Sequence, residues 1–223
     1  MRKMITVKIN GEERQYPQGA TYEDVANDYQ QEYENLIALA ARDGKIRELF
    51  KKMTRDCEVT FFTLKDDVGN KTYVRSATML FLKAVFDVYG REAAQSCRVE
   101  FAIGNGSYIS PKGKINATEE NAAKIRNRMR ELVEAKTPFL KKSYSLDNAM
   151  ELFRKEGMKD KEKLFRYRRG SFVNIYEMDG YYDYYYGYML PNAGYVKWFD
   201  VIAYEDGFML LLPDKKDPTH VKP

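Results

Sequence analysis

Polar and apolar residues alternate from Met4 to Asn10, the period of a strand with one buried face. Asn10-Gly11 supplies the residue pair favoured in a two-residue hairpin turn. A second short strand, Glu13 to Tyr16, stops at Pro17. Thr21-Tyr-Glu-Asp24 has the form of a helix start. The Thr21 hydroxyl can cap the free amides of the first turn, and Asp24 sits where it favours the positive helix end. Val25, Ala26 and Tyr29 then form the buried face. Leu36 to Ala41 is an apolar run of strand length, Asp43-Gly44 turns the chain, Lys45 to Phe50 returns, and Cys57 to Leu64 is a further strand.

This order of elements predicts a small mixed sheet crossed by one helix, and the β-grasp is the simplest fold that has it. The pattern changes near Asp66, with Asp67-Val-Gly-Asn70 reading as a connector. From Arg75 to Tyr89 the spacing is helical, with Ala77, Leu80, Phe81, Ala84, Val85 and Val88 on the apolar side and Gly90 as terminator. Val99 to Ile103 reads as a strand broken by Gly104-Asn-Gly106, with Ser107 to Ser110 able to pair back. Thr118 caps a long helix whose stripe is Ala122, Ile125, Met129, Leu132 and Val133. A shorter helix follows Ser145 and buries Ala149, Leu152 and Phe153, and another turn of helix runs from Asp160 to Phe165. The remainder reads as strands: Phe172 to Tyr176, Tyr181 to Tyr188, Tyr195 to Phe199 and Phe208 to Leu212. The last is apolar enough to be a central strand. Asp214 to Pro223 lacks apolar periodicity and reads as a linker or tail.

Composition narrows the class. Hydrophobic residues at 44% and charged residues at 31% are a globular balance. Aromatics reach 14%, including 18 Tyr, so many hydroxyls need partners or water. No apolar run is long enough to span a bilayer and the first residues do not resemble a signal peptide, so a cytoplasmic protein without a membrane partner is expected. Cys57 and Cys97 stand in no paired motif and read as small hydrophobes. The net charge of +4 is only mildly basic for a nucleic-acid binder.

Candidate chemistry is sparse. His220 is the one histidine and lies in the tail, a poor place for a general base or a zinc ligand. Gly104 to Lys114 lacks the Ser or Thr that a phosphate loop needs after Gly113-Lys114, where Ile115 stands, and reads as a hairpin. Asp179 to Tyr188 is rich in tyrosine. It could stack bases, but strand propensity explains most of it as a pair of sheet edges.

Beyond this, the first sixty or so residues resemble a TGS domain, the β-grasp module at the start of threonyl-tRNA synthetases, and the rest resembles the editing domain that follows it there. Arg75 to Val85 resembles that domain's first signature helix, Thr118 to Leu132 its long helix and Ser145 to Phe153 the next. Asp183-Tyr-Tyr-Tyr-Gly-Tyr-Met-Leu-Pro-Asn192 resembles its second signature, with Asp183, Gly187, Pro191 and Asn192 kept. The family's His-x-x-x-His positions hold Arg75 and Met79 here, and its Cys-x-x-x-His positions hold Tyr185 and Met189. Arginine stays protonated and methionine offers only a weak thioether, so synthetase-type hydrolysis of mischarged tRNA is not expected.

The arrangement also resembles bacterial nucleoside kinases of the uridine kinase type, in which a TGS domain and a degenerate editing-like domain precede a phosphate-loop kinase domain. Gly157 to Lys161, Tyr181 to Pro191 and Gly207 to Pro213 carry that likeness. The resemblance implies an α+β protein with a TGS-like β-grasp domain at 1–65, a degenerate editing-like domain at 66–213 and a linker or tail at 214–223. It implies a non-catalytic regulatory or ligand-binding region of a longer kinase, with no cofactor of its own. ATP and magnesium would belong to the downstream kinase domain. The old cleft, lined by Arg75, Met79, Tyr185 and Met189, could take a nucleoside, nucleotide or RNA, since an arginine beside aromatics suits phosphates and bases. The alternatives are a stand-alone RNA-binding module using Lys124, Arg126, Arg128 and Arg130, and an editing hydrolase with a replaced mechanism.

Overall fold

The computed structural model describes residues 3–167 and 170–222. It is an α+β fold with three sheets. Strands β1 (Met4–Ile9), β2 (Glu12–Pro17), β3 (Ile37–Arg42), β4 (Lys45–Glu48) and β5 (Cys57–Thr63) form a sheet of order β2-β1-β5-β3-β4. Both hairpins in it turn on consecutive residues of positive φ, Asn10 with Gly11 and Asp43 with Gly44. Such turns match the twist of the strands they join. β1 and β5 are parallel, and helix α1 (Tyr22–Tyr29) crosses between them in sequence. Thr21 and Asp24 form the expected capping box. Tyr22, Val25, Ala26 and Tyr29 bury the helix against Ile5, Val7, Ile9 and Val59. The predicted β-grasp order is therefore what the chain adopts.

Helix α2 (Asp67–Tyr89) is the spine of the remainder. Its middle is buried on every side, from Ser76 to Val85 without a break, as befits a helix inside a protein. A short helix α3 (Arg91–Ser96) follows it. Against this spine pack α4 (Glu119–Glu134) and an antiparallel sheet of β6 (Arg98–Ile103), β7 (Gly106–Ser110), β11 (Asp200–Tyr204) and β12 (Gly207–Leu211). The sheet order is β11-β12-β7-β6, so the apolar β12 is central as expected. Strands β8 (Leu140–Ser145), β9 (Phe172–Met178) and β10 (Tyr181–Asp183) form the third sheet. Helices α5 (Leu146–Lys155) and α6 (Lys159–Arg166) cover it with Ala149, Phe153 and Phe165. No helix among the described residues is long and apolar enough to cross a membrane.

Several sequence expectations are corrected. Asp67 to Asn70 is not a connector but the first turn of α2, with the Asn70 amide donating to the Asp66 carbonyl at 2.8 Å. Gly69 misleads because it serves a close approach: a Cβ there would lie 1.9 Å from the Thr63 carbonyl oxygen. Val88 is exposed, because α2 emerges from the core before it ends. The strand expected over Tyr181 to Tyr188 stops at Asp183, whose carboxylate accepts from the Tyr184 amide at 2.6 Å, and Gly187 takes a φ of 133°. The strand expected over Tyr195 to Phe199 is absent. A 3-10 turn, Ala193–Tyr195, takes its place, and the Tyr73 hydroxyl occupies both main-chain groups of Trp198, at 2.8 Å from its nitrogen and 2.7 Å from its oxygen. The expectation missed α3 and β8, whose sequences carry no clear period, and also β11. Residues 214–222, expected as a linker or tail, form no helix or strand and touch the body through a buried Pro218 and the Lys215–Asp67 pair.

Gly69→Ala is expected to destabilise the chain by about 1–3 kcal/mol, because the added methyl meets backbone and not a flexible side chain. Gly104→Ala, with open space around its Cβ direction, measures the cost of positive φ alone. Urea unfolding of both variants provides the comparison.

Candidate functional site

The site is built around residues 183–192, which leave β10 and run between the third sheet and α2. Asp183 anchors the start. It is 4% exposed, pairs with Lys161 of α6, and accepts from the Tyr181 hydroxyl at 3.2 Å. The next residues are pinned one after another. The Gly187 carbonyl lies 3.0 Å from the Tyr176 hydroxyl, and the Tyr188 carbonyl accepts from Arg75 at 2.6 Å. The Met189 amide donates to Glu48 at 3.2 Å and the Leu190 amide to the Ser76 hydroxyl at 2.9 Å.

The positions singled out in the sequence fall within this frame, but they do not share one open pocket. Arg75 packs its guanidinium against Gly187, where a Cβ would come within 2.6 Å of it. Burial lowers its pKa, opposed by the nearby Tyr176 and Glu48. Met79 and Met189 have no exposed surface and belong to the main core. Met189 sulfur lies 3.9 Å from the Ser76 hydroxyl. Of the four, Tyr185 lines a cavity. Its ring stands edge-on to that of Tyr176, with centroids 6.5 Å apart.

That cavity measures about 200 Å3 and is bordered by Thr78, Cys97, Lys161, Asp183, Tyr184 and Tyr185. A second groove of about 360 Å3 borders the tyrosine run against Lys141, Phe172 and Asn174. Tyr184 and Tyr185 are the wall between them. Phe172 and Tyr186 border the groove and are mostly exposed. Sequence reasoning did not select Thr78, Cys97 or Lys161. Thr78 stands one helical turn from Arg75, and Lys161 lies in a segment already noted for its likeness to the kinases, but neither carries a signal without the fold.

The chemistry of these groups is restrained. Burial pushes the Cys97 thiol up to about 12, which leaves almost no thiolate at neutral pH. Burial, and then the Asp183 carboxylate, hold the Tyr181 and Tyr185 phenols well above their usual range. Arg75 remains a cation. Among the described residues no group of three or more His, Cys, Asp or Glu side chains could hold a metal ion. His220 is exposed on the 214–222 segment, with a ring nitrogen 2.7 Å from Asp217.

The basic residues of α4 are mostly engaged within the chain. Lys124 pairs with Glu120 at 2.7 Å, Arg126 with Asp200 at 2.9 Å, and Arg128 with Asp87 at 2.8 Å and Glu131 at 2.7 Å. Arg130 is exposed.

The tyrosine shifts set a pH dependence. A phenol in the unfolded chain ionises near pH 10, while Tyr176, Tyr181 and Tyr185 hold their protons to higher pH in the fold. Their stabilising contribution is therefore complete below about pH 10 and declines above it. Thermal melts are expected to show a falling midpoint above about pH 10. Replacing Tyr181 with Phe is expected to flatten that fall, read against tyrosinate absorbance in the same samples.

Comparison with known proteins then places the chain. No protein-family model matches it. It is 29% identical to a threonine–tRNA ligase of Thermotoga maritima over 89% of the chain, and 26% identical to that of Maricaulis maris over 86%. The ligase of Porphyromonas gingivalis is 24% identical over 84%. The chain spans about 30% of the length of these relatives. Across nearly its whole described length, the chain is homologous to one portion of the threonine–tRNA ligases.

Proposed function

We propose that this chain is a non-catalytic, ligand-binding region derived from the ligase portion it resembles, and that it serves a nucleoside kinase of the uridine kinase type. On this reading residues 1–65 are a TGS-like module, 66–213 a degenerate editing-like domain, and 214–223 a linker to a phosphate-loop domain that holds ATP and magnesium. The observation that carries the reading is the state of the old signature positions. Arg75 is bound to the Tyr188 carbonyl, Met79 and Met189 are sealed in the core, and the Tyr185 phenol keeps its proton. None can activate water at neutral pH, whereas a cavity lined by both polar and apolar groups lies beside Tyr185.

A small nucleoside-like ligand fits the chemistry of that cavity. Its volume of about 200 Å3 is below the range of drug-sized sites, so the occupant is small or partly exposed. Tyr184 and Tyr185 offer aromatic surface for a base. The relatives are named for joining threonine to tRNA, an RNA, so a nucleoside ligand would be in keeping with this ancestry. A stand-alone RNA-binding role is less well supported, since Lys124, Arg126 and Arg128 spend their charge on internal carboxylates.

Calorimetric titration with uridine, UMP and ATP tests the reading. Saturable binding of uridine or UMP with a Kd between about 1 µM and 1 mM is expected, weakened at least about tenfold in Tyr185→Ala. Incubation with mischarged threonine tRNA is expected to release no amino acid. Release of the amino acid, or no heat with any of the three ligands, overturns the proposal. Sequencing the gene beyond codon 223 tests the kinase context, where an in-frame Gly-x-x-x-x-Gly-Lys-Ser/Thr segment is expected.

A further inference from the structure

Glu48 ends β4 at the edge of the first sheet, yet its side chain is 2% exposed and its partners all lie in the rest of the molecule. One carboxylate oxygen receives the Lys141 ammonium of β8 at 2.9 Å. The other receives the Tyr176 hydroxyl of β9 and the Met189 amide at 3.2 Å. Arg75 of α2 contributes a further positive charge near it. The Lys141 ammonium also sits 5.3 Å from the centre of the Tyr176 ring. A buried carboxylate with this many partners is costly to disturb, because removing it takes this acceptor from the Lys141 ammonium, the Tyr176 hydroxyl and the Met189 amide.

The cluster leads directly to the cavity. Tyr176 touches Glu48 through its hydroxyl and Tyr185 through its ring, and Tyr185 is cavity wall. Met189 and Tyr188 are fixed by Glu48 and Arg75, at the far end of the segment whose beginning, Asp183 to Tyr185, borders the cavity.

We infer that Glu48 is a positioning residue for this cavity: the first sheet, when seated, holds residues 184–190 in place and so sets the shape of a site to which it contributes no lining. The functional meaning of this coupling rests on the ligand-binding reading above, but the coupling itself does not. The first sheet then acts as a control element, since anything that shifts β4 moves the Tyr185 wall.

The test needs no ligand. In a Cys57→Ser background, Cys97 is the remaining free thiol and reports on the cavity it lines. Glu48→Ala is expected to speed alkylation of Cys97 by iodoacetamide, and exchange of the Met189 and Leu190 amides, by about tenfold or more. Amides of β12 and α4 are expected to change by less than about twofold. Glu48→Gln keeps an acceptor for the Met189 amide while removing the charge, and is expected to lie between the two. It decides the question if the alanine variant does not fold. Lys141→Met removes one partner from the other side and is expected to loosen the same amides. Unchanged Cys97 labelling and exchange at 189 and 190 overturns the inference. So does a uniform rise in exchange across the chain, which marks Glu48 as a general stabiliser. Uridine titration of the unaltered chain judges the ligand reading alone, so the two can fail separately.

Discussion

A carboxylate out of water has to be answered by donors and cations, and in this chain that requirement ties the first sheet to everything after it. Glu48 is supplied by β4, and its partners come from α2, β8, β9 and the stretch before Pro191. None of those elements is its neighbour in sequence. A second seam lies nearby, where the Tyr195 hydroxyl donates to Glu23 of α1 at 2.9 Å and the Tyr195 ring packs against both large cores. Apolar contact alone would let two bodies slide. Charges buried at a junction penalise every arrangement but one, which is the best-attested use of such groups.

The same need to satisfy buried groups shapes the contact between α2 and the 187–190 segment. Met79 and Met189 are fully buried in the main core, and flexible thioethers suit irregular gaps. Arg75 places its flat guanidinium over a residue that has no side chain, and spends its donor on a main-chain carbonyl. Arg75 thus holds backbone in place. The neighbouring cavity is bordered by the Asp183–Lys161 ion pair, and a paired charge resists being packed over by apolar groups.

The first sheet was readable in the residues because its instructions are local. Asn10-Gly11, Asp43-Gly44 and the Thr21–Asp24 capping box each act within a few residues. The errors fall where distant parts decide. Gly69 looked like a break because nothing nearby in sequence says that Thr63 will press against it. Tyr195 to Phe199 has strand propensity, but the Tyr73 hydroxyl takes the main-chain groups of Trp198 that a ladder would use. The site divides in the same way. Motif likeness located Arg75, Met79, Tyr185 and Met189, but not that the two methionines would be sealed while Tyr185 reached a cavity. The sequence offers the basic residues of α4 as phosphate contacts, but not that Arg126 and Arg128 pair with Asp200 and Asp87.

The strand order β11-β12-β7-β6 has a consequence for the chain as it leaves the ribosome. The β6–β7 hairpin emerges early, with Val99, Phe101 and Ile103 on a strand that stays exposed even in the finished fold. Among the described residues its one partner on the other side is β12, whose last residue is Leu211. The centre of that sheet is therefore the last part of it to be synthesised, and the hairpin must wait about a hundred residues for closure. During that wait it is the segment most in need of protection, since an unpaired apolar edge invites pairing with another chain.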